Sequence, residues 1–70
     1  MPLTVAPLGR EVKIIKVLAE EKTKRHLANI GLLAGEQITV LSSGWGNLIL
    51  KVKEGRVALY KNLAVKIFVA

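Results

Sequence analysis

The chain has no cysteine and no aspartate, and its 70 residues include one histidine and three aromatics, Trp45, Tyr60 and Phe68. Without cysteine there is neither a disulfide framework nor a thiolate metal site, which fits a reducing compartment. Without aspartate, the carboxylates are glutamates scattered along the chain apart from the neighbours Glu20 and Glu21. Adjacent residues on a helix do not face the same way, and His26 lies too far along to chelate with them, so no iron site is expected. No apolar run approaches the roughly 20 residues that span a bilayer, and residues 1–10, MPLTVAPLGR, have neither the basic start nor the apolar stretch of a secretory signal. The expected setting is the cytoplasm, with no direct membrane insertion.

Catalytic groups are as scarce as metal ligands. The lone His26 stands beside Arg25 and reads as a solvated or capping side chain, while Ser42 and Ser43 precede Gly44 in a loop, where serine is an ordinary turn former. Gly44-Trp45-Gly46 lacks the lysine and hydroxyl residue of a phosphate loop. No nucleophile stands with a base, so neither an enzyme nor a cofactor is expected.

What the chain does have is aliphatic material and positive charge. Hydrophobic residues make up 51% of it, mostly Leu, Ile, Val and Ala, enough for one compact core. A chain this short buries only about 60% of the surface that it exposes unfolded, so residues 1–70 read as a single unit. The formal net charge of +6 points either to simple solubility or to an anionic partner.

Punctuation divides the chain into short pieces. VKIIKVLA, Val12 to Ala19, follows the turn signal Pro7-Leu8-Gly9 and reads as a strand, but its phase slips between Ile14 and Ile15, which implies a bulge or burial on both faces. Period-two patterns follow in QITVL (Gln37–Leu41), LILKVK (Leu48–Lys53) and RVALY (Arg56–Tyr60), with a hairpin glycine at Glu54-Gly55. The run AVKIFVA, Ala64–Ala70, points Val65, Ile67 and Val69 one way. Five strands with glycine turns and one helical segment predict a mainly β protein, a small closed or nearly closed antiparallel barrel.

The helical segment is EKTKRHLANI, Glu21 to Ile30, with Thr23, Leu27 and Ile30 on one face. Gly31 is placed to turn left-handed at its end, with Leu32 reaching back to Leu27. Gly35 suits the third position of a type II turn that launches the next strand. Two features stand out as surfaces. Lys22, Lys24 and Arg25 occupy the first half of the helix, where the macrodipole disfavours positive charge by about 0.3–1 kcal/mol each. Such a placement points to a partner, the alternative being long side chains that reach into water. Trp45, between two glycines, is expected to fold back onto the barrel, the alternative being a binding hot spot.

Arg25-His26-Leu27, Ile30-Gly31-Leu32 and Gly35, then Arg56-Val57-Ala58-Leu59, Ala64 and Ile67-Phe68-Val69 resemble the ferrous iron transport protein A (FeoA) family, over nearly the whole chain from Leu3 to Val69. The resemblance implies an SH3-like barrel with one short α-helix and a cytoplasmic accessory role in transition metal ion transport. It implies as partner a membrane ferrous iron transporter whose cytosolic end carries a GTPase domain, through which the chain would lie peripherally at the inner membrane, helping to move iron without holding it. The alternative is a small basic barrel that binds nucleic acid; three aromatics leave little for base stacking, which counts against it.

Overall fold

Among the described residues, every buried side chain is aliphatic. The structure, a computed structural model, describes residues 1–53 and 55–70. A 3-10 turn, Leu3–Val5, leads into β1 (Glu11–Val17), α1 (Glu21–Asn29), β2 (Gln37–Gly44), β3 (Asn47–Val52), β4 (Gly55–Tyr60), α2 (Lys61–Ala64) and β5 (Ile67–Val69). The strands form one antiparallel sheet in the order β4-β3-β2-β1-β5. One core joins Leu3, Ile14, Leu27, Leu32, Ile38, Leu48, Leu50 and Ile67 with smaller aliphatic neighbours, and none of the described buried residues is polar or charged. Full burial of each large aliphatic side chain contributes roughly 1.5–3 kcal/mol against chain entropy.

β1 serves two neighbours. Glu11–Lys13 pairs with β2, whereas Ile14–Val17 pairs with β5. The register shifts between Ile14 and Lys16, where the sequence slips phase. The bulge leaves Ile15 and Lys16 both outward and half-buries Val17, so the slip is not a sign of burial on both faces. A second shift, between Val40 and Ser42 in β2, has no such sequence signal.

The sheet does not close into a barrel. β5 has three residues, and the start of the chain lies along its outer side: Pro2 bridges to Phe68, and the Val69 N–H donates to the Met1 carbonyl at 2.7 Å. β4 therefore stays at the opposite end of the sheet order. The final segment also departs from its expected alternation. KNLA forms one helical turn, closed by the Val65 N–H donating to the Lys61 carbonyl at 3.0 Å. That turn buries Ala64 and leaves Val65 half exposed, at 50%, while Ile67 and Val69 point inward as expected. The described α-helices are thus two, the second a single turn with Leu63 half-buried and Ala64 buried. Gly55 has a φ of +146°, and its expected hairpin partner Glu54 lies outside the described residues.

The end of α1 sets the course of the chain. Ile30 is the last cap residue and Gly31 follows at φ +96°. The Gly31 N–H donates to the Ala28 carbonyl at 3.0 Å and the Leu32 N–H to the Leu27 carbonyl at 2.8 Å, the paired bonds of a Schellman ending. Leu27 and Leu32 are both buried in the core. Gly35, also at φ +96°, then occupies the third position of a turn closed by the Glu36 N–H donating to the Leu33 carbonyl at 3.1 Å.

A β-carbon on Gly31 would meet Val52 no closer than 3.8 Å, an ordinary contact, so the cost of Gly31→Ala is backbone strain and not a clash. We expect this variant to lose about 1 kcal/mol, a fall in melting temperature of roughly 4–8 °C for a domain of this size. Gly44→Ala, at a position without a positive φ and with nothing within 4 Å, should melt within about 2 °C of the native protein. Equal melting of all three proteins would show that the left-handed turn is not required.

Candidate functional site

α1 presents its basic residues to solvent because Leu27 is drawn fully into the core while Thr23 and Ile30 are half-buried. Lys22, Lys24, Arg25 and His26 are all exposed. Their relation to the helix dipole is milder than the sequence implies. The dipole acts over the first turn, where Glu20 caps the helix and Glu21 opens it, and only Lys22 shares that turn. Lys24 and Arg25 lie four residues after Glu20 and Glu21, the favourable glutamate-to-cation spacing, worth about 0.2–0.5 kcal/mol per pair. The basic face is therefore compatible with a stable helix. The N-cap itself is weak, since Glu20 makes no side-chain cap bond and meets the Thr23 hydroxyl only at 3.4 Å.

Trp45 does not fold back. It stands at the tip of the β2–β3 hairpin, beyond the pair Gly44–Asn47, and at 104% relative exposure no part of its ring is covered. The reason lies in the turn's geometry and in the core's chemistry. The tip is braced by the Lys61 N–H donating to the Gly46 carbonyl at 2.8 Å, which fixes it at the sheet's end, while the core below is already filled by aliphatic side chains. Tyr60, opposite Asn47 on β4, is exposed beside the same tip.

Between β1 and the N-terminal half of α1 lies an open groove of about 610 Å³, lined by Ile15, Leu18 and Leu33 with Lys16, Lys24 and Arg25. Sequence reasoning noted the slip at Ile14–Ile15 but not that it turns an isoleucine outward beside the basic helix. Lys24 and Arg25 line this groove; Trp45 does not, so the expected surface residues fall into two separate places. Leu27, Ile30, Gly31, Leu32 and Gly35 have the structural positions described above. Among the described residues no three His, Asp or Glu side chains converge on a metal position. Among the described residues no helix is long and apolar enough to cross a membrane.

Against known proteins, the FeoA domain model matches residues 1–70. Among solved structures, the crystal structure of an iron uptake regulatory protein, FeoA, is 30% identical with a TM-score of 0.90, over 99% of this chain and 93% of that one. FeoA of Stenotrophomonas maltophilia, described as a procaryotic SH3 domain protein and solved with zinc, is 25% identical with a TM-score of 0.84, over 100% of this chain and 89% of that one. A manganese-dependent transcriptional repressor shares the fold alone, at 20% identity and a TM-score of 0.89, over 100% of this chain and 40% of that one. No curated protein matches by sequence. A family match along the whole chain, joined to a fold shared from end to end with FeoA structures, makes this protein a member of the FeoA family, which is linked to ferrous iron transport.

Proposed function

We propose that the protein is a non-catalytic accessory of ferrous iron uptake, acting at the cytoplasmic side by docking on the cytosolic GTPase domain of a membrane ferrous iron transporter and modulating it. The observation that carries this reading is membership of the FeoA family over all 70 residues. The Stenotrophomonas maltophilia relative is described as possibly acting as a bacterial ferrous iron transport activating factor, a role of the same kind. The surface chemistry agrees with it: an exposed cationic helix face and an exposed indole suit contact with another protein, and the chain is strongly basic. Iron would pass through the transporter as its cargo, with this chain altering the transporter and not the ion.

Charged contacts at the edge of an interface mainly speed encounter, and they weaken as salt rises. Lys24→Gln with Arg25→Gln should therefore slow association with the transporter's purified cytosolic domain several-fold at low ionic strength and flatten its salt dependence, with the dissociation rate little changed. Neutralisation is preferable to reversal, since glutamates at 24 and 25 would repel Glu20 and Glu21 along the helix. Association rates against ionic strength, with melting curves as control, measure this. No binding by the native chain at any salt, or nucleic-acid retention that survives physiological salt, would overturn the reading.

The isolated chain should bind ferrous iron no tighter than a surface carboxylate does, because its described glutamates and His26 do not converge. Anaerobic titration calorimetry checks this; a stoichiometric micromolar site would contradict it.

A further inference from the structure

We infer that the groove between β1 and α1 is the docking surface, and that it takes a partner segment carrying large apolar side chains between acidic ones. The inference names the contact surface for the docking proposed above and rests on that reading.

The floor of the groove is built by a specific device. The bulge at Ile14/Lys16 turns two consecutive β1 side chains outward, and Ile15 stays 50% exposed where a core is available to bury it. Leu18, just past the strand, is 56% exposed, and Leu33, after the Gly31 turn, is 41% exposed. Single exposed leucines are ordinary on a protein surface, but here three large aliphatic side chains, two at the end of β1 and one from the segment after α1, line one hollow.

The rim gives the sign of the occupant. Lys24 and Arg25 from α1 and Lys16 from β1 line the same hollow, against one carboxylate, Glu21. The Lys16 ammonium sits 5.3 Å from the centroid of the Phe68 ring, so part of its field is directed toward its own chain. Lys24 and Arg25 supply the remaining positive charge. An aliphatic floor beneath a cationic rim complements leucine or phenylalanine flanked by aspartate or glutamate. It fits nucleic acid poorly, because the groove contains no aromatic ring on which a base could stack. Concavity likewise suits an inserted peptide segment and not a flat lipid surface.

The test follows the backbone amides of the 15N-labelled chain by NMR in two titrations. The first adds the purified cytosolic GTPase domain of the transporter. The second adds a synthetic peptide of about a dozen residues made of Leu and Glu, and in parallel its Leu and Lys counterpart. Signals of Ile15, Leu18, Lys24, Arg25 and Leu33 should shift or broaden with the domain and with the acidic peptide, and not with the basic one. Leu18→Ser with Leu33→Ser should weaken binding of the domain by about tenfold with little change in melting, since both positions are exposed, whereas Trp45→Ala should change it less than about twofold. If the domain binds but its shifts centre on Trp45, or the double variant binds as the native chain does, the groove assignment is overturned while the docking reading stands. If the native chain does not bind the domain at all, the docking reading falls and the peptides decide the groove. Selective shifts with the acidic peptide then support it, and equal or absent shifts overturn it.

Discussion

The left-handed turn at Gly31 is the constraint on which the rest of the structure depends. Two peptide hydrogen bonds close the end of α1 there, and they hold Leu27 and Leu32 in the core on either side of the turn. With the helix end fixed, the inner face of α1 is fixed as well, and Lys24 and Arg25 are left exposed beside the groove along β1. From the same turn the chain passes Leu33 along the surface to the second turn at Gly35 and enters β2, so two left-handed glycines set the helix stop, the strand start and one wall of the surface groove.

An aliphatic core has consequences of its own. Leu, Ile and Val bury well in a small volume and carry no polar atom that needs a partner, so a 70-residue chain can close its interior without a buried hydrogen-bond network. The three aromatic rings are then left to the surface: Phe68 is half-buried with Lys16 over its face, Tyr60 is exposed, and Trp45 is entirely outside. Small domains are marginally stable, and large rings in solvent add little to the fold.

Most of the fold is legible in the sequence, and the parts that are not share a cause. Strands β2, β3 and β4 appear because one face of each is buried, which imposes a period of two, and the end of α1 appears because only glycine takes a positive φ without strain. The phase slip in β1 reads as either a bulge or burial on both faces, and the register shift decides for the bulge. α2 escapes because four residues are too few for a helical period to separate from a strand's, and the openness of the sheet escapes because closure depends on which segment reaches β5 first, here the residues around Pro2. For the surfaces, the exposure of Lys22 and Arg25 follows from Leu27 on the far side of the helix, whereas Lys24, three residues before Leu27, flanks the buried stripe. The exposure of Trp45 does not follow from local sequence, since it turns on whether the core beneath the hairpin has room. The groove is legible only once β1 and α1 are set side by side.

Among the described residues the polar groups are on the surface, no three His, Asp or Glu side chains converge, and the single histidine is exposed on a helix. For the docking proposed here a rigid framework would matter, because apolar anchors gain most in binding when the surface that receives them is already ordered and less conformational entropy is lost on association. The bulge in β1 and the turn at Gly31 both belong to that framework, each fixed by backbone hydrogen bonds, and each positions one of the aliphatic side chains left outside the core. The backbone features that hold the fold thus also place Ile15 and Leu33, and the groove is lined by the buried core residue Leu32 as well as by these exposed side chains.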